Sequence, residues 1–444
     1  MFPEKRLALG GLAFLLIFMG RAASSGPPAP CDFVVTLPSA KRSFPEPLPA
    51  GAEPSFRFRG TKGWAWTPEQ YLAEIPYLVQ FKMNFMMNCY LSMFDVESRS
   101  AGNFRAINRW WQDLPTSKKK AYERVVHKCQ EAGIQFCFSM NPNLMSQRVA
   151  NDGSTESVDL LWKHYAWMQG LGVKWFNLSL DDATQGVDAA SQAQVVNIIF
   201  QRLRAMDPGA QMIFCPTYYD GDGTGNKERP YLETLARELN RNIYLFWTGD
   251  AVVGRASRPA AEAFRRISGH RLFLWDNYPV NDDLPTMHLG PLVGRDPDLC
   301  KVVEGYMSNP HCQQNEINRI PLATCADYAY NSAAYNPDRS IGQAIMHLAQ
   351  TPDQQETLKE LVEAYPGMLI CGANRTSFDA VQDHFTQIIQ TPNSQPAALT
   401  YIESLHRLSS RLAAVFPDHY PAAQRTLLDD IHNLEARAST KRDD

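Results

Sequence analysis

Short apolar runs alternate with amphipathic segments along most of the chain from residue 56 onward. The apolar runs are continuous rather than alternating, which is typical of strands buried on both faces of a parallel sheet. Several amphipathic segments begin near Pro or Ser and stop at Gly, as at Gly133 and Gly170, which is typical of helices. The pattern predicts strands over residues 56–66, 83–90, 134–140, 173–180, 211–219, 243–248, 271–278 and 305–308, and helices over 68–82, 117–132, 157–169, 189–206, 231–239, 259–267, 297–304 and 315–330.

Strands that alternate with helices in this way predict an α/β fold in which eight units close into a (β/α)8 TIM barrel over residues 56–336. A doubly wound open sheet is the alternative, but it usually has fewer repeats and a Gly-rich turn after its first strand. No GxGxxG or Walker motif follows the first predicted strand, so the barrel is favoured. Beyond Pro337 the pattern is helical alone, which predicts an α-helical C-terminal domain at 337–438 and a polar tail at 439–444.

The N-terminus has the charge and hydropathy order of a secretory signal peptide. Glu4-Lys5-Arg6 precedes an apolar run from Leu7 to Met19, and small residues follow, so residues 1–25 are predicted to be cleaved. An uncleaved anchor is the alternative, although the run is shorter than the roughly 20 residues that a spanning helix needs. Residues 26–55 are rich in Pro, Ser and Ala and are interpreted as a leader. The sequence therefore predicts a secreted or periplasmic protein with no membrane partner after cleavage.

Composition and charge argue against several classes of partner. The net charge is −4 and no long polybasic run occurs, which argues against nucleic acid or an anionic membrane. The cysteines include no CxxC pair and the histidines form no HxH or HExxH pattern, so no metal and no cofactor are predicted. Residues 220–226 resemble the start of a calcium loop, but Tyr231 stands where an EF-hand has its Glu, which favours a Gly-rich loop. Export would permit a disulfide, with Cys300, Cys312 and Cys325 as candidates that the sequence alone cannot pair.

Polar and aromatic residues gather where the predicted strands end, and in a TIM barrel these ends meet at one face. They are Gly63 to Trp66, Asn88 to Tyr90, Asn141 to Asn143, Asp181-Asp182, Thr217 to Tyr219, Trp247 to Asp250, Trp275 to Asn277, and Asn309. Asp181 and Asp182 follow the apolar run 175–180 without a spacer, and charges at the end of a buried strand need hydrogen bonds or a catalytic task. Two carboxylates held close do not ionise together easily, so the pKa of one should rise, as an acid/base pair requires.

Several of these residues belong to a longer set of motifs. In chain order the motifs are Leu180-Asp181-Asp182, Cys215-Pro216-Thr217 with Tyr219, Trp247-Thr248-Gly249, Trp275-Asp276-Asn277-Tyr278-Pro279-Val280-Asn281-Asp282, Leu289-Gly290-Pro291 and Ser308-Asn309-Pro310. The set lies within residues 56–335 and resembles glycoside hydrolase family 84, the β-N-acetylglucosaminidase barrels that include the O-GlcNAc hydrolases. The resemblance implies cleavage of the O-glycosidic bond of a terminal 2-acetamido sugar on a glycan or glycoconjugate, with GlcNAc favoured and GalNAc as the alternative.

The resemblance also implies a retaining mechanism in which the substrate's 2-acetamido oxygen attacks the anomeric carbon and forms an oxazoline, an exception to the two-carboxylate scheme. Carried over by position, Asp181 would polarise the acetamido group and stabilise the cationic intermediate, and Asp182 would act as general acid and then base. The implied substrate-binding residues are Gly63 through its backbone, Tyr219 near the acetamido carbonyl, Trp247, Trp275 as a wall of the acetamido pocket, and Asn277, Asp282 and Asn309 as partners of the sugar hydroxyls or the acetamide.

The chain departs from the family pattern near its first two strands. The family's first strand usually ends in Glu-Gly-Phe-Tyr-Gly, whereas this chain has Lys62-Gly63-Trp64-Ala65-Trp66, and a family lysine after the second strand has no counterpart near Leu91. Residues 27–55 leave no room for the α/β domain that commonly precedes the barrel in the family. These departures keep a second hypothesis open, a barrel that binds a sugar but has little or no catalytic activity.

Overall fold

A computed structural model describes residues 31–100, 103–146, 148, 154–183, 187–279, 287–310, 316–373 and 378–440. The predicted signal peptide lies outside these ranges, as do Asp282, Cys312 and residues 441–444 of the predicted tail. Among the helices that fall within the described ranges, none is both long enough and apolar enough to cross a membrane.

A closed parallel barrel dominates the fold. In chain order, the strands of the described residues are β1 (Phe58–Thr61), β2 (Phe85–Met87), β3 (Asp95–Ser100), β4 (Asn103–Ile107), β5 (Gln135–Met140), β6 (Trp175–Ser179), β7 (Gln211–Cys215), β8 (Tyr244–Trp247), β9 (Leu272–Pro279) and β10 (Val303–Asn309). Within the described part of the chain, eight of them close in the order β1-β10-β9-β8-β7-β6-β5-β2. The predicted (β/α)8 barrel is therefore confirmed.

Helices surround the barrel and then continue alone. They are α1 (Pro68–Gln80), α2 (Thr116–Glu131), α3 (Thr155–Gly170), α4 (Ala189–Met206), α5 (Glu228–Glu238), α6 (Arg258–Ser268), α7 (Arg319–Tyr330), α8 (Pro337–Leu348), α9 (Pro352–Ala364), α10 (Ala380–Gln390), α11 (Gln395–Val415) and α12 (Pro421–Thr440). The prediction of a helix at 297–304 was wrong. A short 3-10 turn over Leu299–Lys301 stands there, because Asp296 accepts the backbone N–H of Arg258 at 2.7 Å and ties the segment to the start of α6.

Aromatic side chains fill the barrel interior. The ring of Trp175 lies 4.7 Å from that of Phe58 and 5.3 Å from that of Phe85, measured between centroids. Phe273 lies 5.5 Å from Phe58 and 5.3 Å from Tyr244. Because these residues come from five barrel strands and are buried, they hold the strands together from inside, and the strand ends above them are left for polar groups.

An antiparallel hairpin interrupts the strand–helix alternation after β2. It is formed by β3 and β4, and the Lys118 ammonium donates to the carbonyl oxygens of Met93 and Phe94 just before it, at 2.9 and 2.8 Å. These two strands were not predicted, because the segment 95–107 is polar and lacks an apolar run.

The helical C-terminal region has a second hydrophobic cluster of its own, which the leader joins. The cluster is built mainly from α8 to α12, and it includes Ile317 and Ile320 from the barrel side. Residues 31–55 form neither helix nor strand, but Val35 is buried in the cluster and its N–H donates to Glu363 at 2.9 Å. The described part of the leader therefore packs as a strap along this region.

A disulfide fastens the strap. It joins Cys31 to Cys371, so the prediction that placed a disulfide among Cys300, Cys312 and Cys325 was wrong for Cys300 and Cys325, which are free thiols. Cys325 is fully buried in α7. The sequence could not find the pair because its members lie 340 positions apart.

Candidate active site

Asp181 and Asp182 lie where β6 opens onto the C-terminal face of the barrel. The N–H of Leu180 still donates to Cys215 at 2.8 Å, so pairing with the neighbouring strand continues up to the acids. Asp181 is buried, whereas Asp182 has a φ of 55° and is exposed. The left-handed backbone, which Asp tolerates better than most residues, turns the second acid away from the first and toward the mouth.

Two hydrogen bonds fix the Asp181 carboxylate. The hydroxyl of Tyr90 donates to Oδ2 at 2.6 Å, and the amide of Asn141 donates to Oδ1 at 3.1 Å. Asn141 is itself held, since its Oδ1 accepts the N–H groups of Asn143 and Leu144 at 3.0 Å. Tyr90 and Asn141 lie at predicted strand ends, but sequence reasoning gave them no role in the site.

Asp182 has a different partner. The hydroxyl of Tyr219, from the loop after β7, donates to its Oδ1 at 3.0 Å. Tyr219 is the residue for which the sequence predicts a contact with the acetamido carbonyl. The structure places its hydroxyl next to Asp182, and the contact with the acetamido group stays a prediction.

The two acids share an environment that favours protonation. Burial, followed by the charge of Asp182, raises the pKa of Asp181 to about 7, against the lowering effects of Lys62 and Tyr90. Asp182 reaches solvent but is enclosed by protein on most sides, and this burial raises its pKa as well, against the hydrogen bond from Tyr219 and the charge of Lys62. The pair can therefore hold one proton near neutral pH, and its titration belongs to both residues together.

Trp275, Asn277 and Asn309 form a connected group on the opposite side of the mouth. The Asn277 Oδ1 accepts from Trp275 Nε1 and from Asn309 Nδ2, each at 2.9 Å, and its amide donates to the carbonyl of Val252 at 2.7 Å. The carboxamide of Asn277 is thus used to hold its neighbours. The Oδ1 of Asn309 is buried and has no hydrogen-bond partner among the described residues, so it is an acceptor that a ligand hydroxyl or N–H can satisfy.

Gly63 and Trp247, two further predicted residues, have structural tasks. Gly63 has a φ of 63°, and a Cβ on it would lie 2.2 Å from the ring of Trp66, so only glycine fits there. Trp247 is fully buried, and its indole N–H donates to the carbonyl of Gly221 at 2.9 Å. This position favours support of the Gly221 loop over a sugar contact, and the sugar contacts of Gly63 and Trp247 stay predictions. Asp282, the remaining predicted residue, lies outside the described ranges.

Comparison with known proteins places the chain in a family. The family model described as beta-N-acetylglucosaminidase matches residues 63–363. The chain belongs to the beta-N-acetylglucosaminidase family. The predicted family membership is confirmed. The matched range contains every site residue that the sequence predicts.

Individual relatives of this glycosidase family are distant. The chain is 25% identical over 233 residues to the protein O-GlcNAcases of Rattus norvegicus and Mus musculus, which covers 49% of this chain and 25% of each relative. It therefore matches only about a quarter of the length of these curated relatives. Among solved structures, an O-GlcNAc hydrolase variant from Thermobaculum terrenum has a TM-score of 0.70 at 21% identity, covering 86% of this chain and 84% of that one. This likeness supports the shared fold.

The structure of this family member adds a charged residue that sequence reasoning missed. Lys62, one position before the matched range, is 1% exposed, and its Nζ lies 3.1 Å from the ring centroid of Trp275. The departure from the family pattern at the end of the first strand is thus a lysine inside the mouth of the barrel. A charged residue directly before the glycine turn at Gly63 could have been noticed, but no local sequence pattern shows that its side chain points inward.

Within the described ranges, no group of three or more His, Cys, Asp or Glu residues is placed to hold a metal ion. The loop after Tyr219, which resembles the start of a calcium loop, includes Asp222, whose carboxylate accepts from the N–H and hydroxyl of Thr224 at 3.0 and 2.7 Å. This carboxylate organises its own turn.

Proposed function

We propose that this protein is a retaining β-N-acetylglucosaminidase that uses the acetamido group of its substrate as the nucleophile. The observation that carries the proposal is that two adjacent acids at one strand end have separate tyrosine partners, Tyr90 for Asp181 and Tyr219 for Asp182. Separate partners allow the acids to take different tasks, which one shared hydrogen-bond network would not allow.

In the proposed first step, the acetamido oxygen bonds to the anomeric carbon while the bond from that carbon to the leaving oxygen breaks. Asp182 gives its proton to the leaving oxygen, and Asp181 accepts a hydrogen bond from the acetamido N–H and stabilises the positive oxazolinium. In the second step, water attacks the anomeric carbon, Asp182 takes a proton from it, and the oxazoline ring opens. The β configuration is restored by two inversions.

Substrate binding can determine which of the two acids carries the shared proton. Burial raises the pKa of Asp181, whereas its proposed role requires the charged form. A substrate N–H that donates to Asp181 favours that charged form and lowers the pKa. The shared proton then moves to Asp182, where it is needed for the leaving group. The exposure of Asp182 at the mouth suits this role, because the leaving group and the attacking water both approach from solvent.

The remaining site residues support binding of a 2-acetamido sugar. The unsatisfied Oδ1 of Asn309 offers an acceptor to a sugar hydroxyl or the acetamide, and the Trp275 ring offers an apolar wall. The names of the mammalian relatives, protein O-GlcNAcases, favour β-linked GlcNAc over GalNAc. The proposed substrate is therefore a glycan or glycoconjugate that carries such a sugar at its end.

We also propose that the protein acts outside the cytoplasm. The n-, h- and c-region order of residues 1–25 supports export. The disulfide between Cys31 and Cys371 supports it independently, because structural disulfides persist mainly in oxidising compartments. Glycans on extracellular proteins or in cell walls are then the accessible substrates.

Hydrolysis of aryl N-acetyl-β-glucosaminides tests the proposal. We expect Asp182→Ala to lower kcat/KM by about 10²–10⁴-fold for a poor leaving group, and much less for a good one, because acid assistance matters most when the leaving group is basic. Asp181→Asn should reduce the rate for both, since anchimeric assistance is lost whatever the leaving group. Asp429→Asn is the matched control, because Asp429 belongs to another adjacent Asp pair but is exposed on α12.

Two outcomes would contradict the proposal. Equal losses for good and poor leaving groups in Asp182→Ala would remove the acid role of that residue. Binding of a thiazoline mimic of the oxazoline by a wild-type protein that shows no turnover would favour the alternative, a sugar-binding barrel without catalytic activity.

A further inference from the structure

Lys62 is a buried lysine whose direction is fixed by its backbone. Its N–H donates to the carbonyl of Ser308 at 2.9 Å, and its own carbonyl accepts from Tyr71 at 2.8 Å. The side chain leaves the end of β1 toward the barrel mouth and is 1% exposed. Lysines are almost never buried to this degree without a partner, because the ammonium loses its hydration.

The contacts of the ammonium lead directly to the acid pair. Nζ lies 3.1 Å from the centroid of the Trp275 ring and 5.1 Å from that of Tyr90. Within the described residues, these ring contacts replace an ion pair. Tyr90 is the residue that donates to Asp181 at 2.6 Å, so a single aromatic ring connects the ammonium with the carboxylate.

We infer that Lys62 is the charge partner of the acid pair, a positioning residue whose ammonium makes ionisation of Asp181 beside Asp182 easier. Two neighbouring acids in a buried site repel each other when both are charged, and a cation enclosed with them offsets that repulsion. The catalytic part of this inference, the role of Lys62 in the reaction, rests on the proposed function.

The other titratable groups that face the acids cannot supply this charge. Burial raises the pKa of Tyr90, Tyr219 and Cys215 well above their ordinary values, so all three are neutral at neutral pH. Burial also raises the pKa of Asp220, and that residue adds only negative charge near Asp182. Among the described residues, Lys62 is the cation whose charge lowers the pKa of both acids.

The pH dependence of kcat/KM tests the inference. We expect Lys62→Gln and Lys62→Met to move the acidic limb upward by about one pH unit, because Asp181 then deprotonates less easily. Lys62→Arg should keep the limb in place, since the charge remains. Lys227→Gln is the matched control, because it removes the same charge from an exposed position. An unchanged limb with only a higher KM in both neutral variants would overturn the inference, and would make Lys62 a sugar contact.

A second measurement does not depend on turnover. In a thermal-unfolding cycle of wild type, Lys62→Met, Asp181→Asn and the double variant, the two substitutions should be non-additive at about pH 8, where Asp181 is charged. The coupling should shrink at about pH 4. Additivity at both pH values would overturn the inference. If the wild type shows no hydrolysis, the proposed function is overturned, and the unfolding cycle alone then tests the role of Lys62.

Discussion

At the scale of single residues, the acid pair shows how backbone direction separates two identical neighbours. Asp181 continues the line of β6 into the protein, where Tyr90 and Asn141 meet it. The left-handed conformation of Asp182 sends the next carboxylate to the mouth. The left-handed backbone of Asp182 thus accompanies the difference in exposure between the two acids, and in the proposed mechanism the exposed acid is the one that reaches the leaving group.

The buried state of Asp181 makes a prediction for stability. Its pKa is raised from 3.8 to about 7, so the stability that the protonated carboxyl contributes is fully present below about pH 4 and is lost as the pH rises to about 7. Asn resembles the protonated carboxyl and does not titrate. We therefore expect Asp181→Asn to have a higher Tm than wild type above pH 7, and a difference that disappears toward pH 4.

Thermal unfolding between about pH 4 and pH 9 checks this expectation. Asp353→Asn, an exposed substitution of the same kind, should give a difference from wild type that stays nearly constant over the range. If the difference in Tm between Asp181→Asn and wild type is the same at pH 5 and pH 8, the pKa of Asp181 is not raised in the folded protein.

At the scale of elements, β9 places alternate side chains on two sides of the barrel wall. Trp275 and Asn277 take part in the site, whereas Asp276 between them points the other way and pairs with Arg295 through two hydrogen bonds. The hydroxyl of Tyr306 adds a third bond to Asp276 at 2.8 Å. Both charged side chains are at most 3% exposed, so the pair fixes the end of β9 against the loop before β10.

Removal of one partner from this pair should be costly. We expect Asp276→Ala to lower the free energy of unfolding by about 3–5 kcal/mol, because it leaves the Arg295 charge buried without a partner. It should also lower activity, since Trp275 and Asn277 lose their support. Denaturant unfolding measures the first effect. Glu233→Ala, which breaks the exposed pair with Arg229, should cost less than about 1 kcal/mol; similar losses in both variants would refute the role of burial.

At the scale of the whole molecule, the strap formed by residues 31–55 joins the start of the described chain to the helical region. Its disulfide closes a loop with a sequence separation of 340. A cross-link over so long a loop stabilises mainly by restricting the unfolded chain, by about 6 kcal/mol in the chain-entropy model. The strap thus secures the helices of the C-terminal region through a bond that the local pattern does not reveal.

Loss of this cross-link should be measurable. We expect the double variant Cys31→Ser/Cys371→Ser to unfold at a lower temperature than wild type under non-reducing conditions, and the two proteins to converge when a reductant is added. Cys300→Ser, a change at a free and half-buried thiol, should have little effect in either condition. Identical melting curves for wild type and the double variant without reductant would contradict a stabilising disulfide.

The order of strands and helices followed from the sequence because each element carries its own pattern of apolar residues. The acid pair could be predicted for the same reason, since its position directly after an apolar strand is a local fact. The β3–β4 hairpin and the 3-10 turn at Leu299–Lys301 were missed because contacts from elsewhere, such as Asp296 with Arg258, decide those segments.

The pattern of consecutive residues was enough to predict the barrel, the helical region after it and the face on which the acids lie, because periodicity and strand ends are local properties. Which side chains the acids contact depends instead on the three-dimensional fold. Tyr90 reaches Asp181 across 91 positions, and closure of the barrel through β1, β10 and β9 brings Lys62 onto the ring of Trp275. These side-chain contacts depend on which strands become neighbours in the barrel, and no short stretch of sequence specifies that.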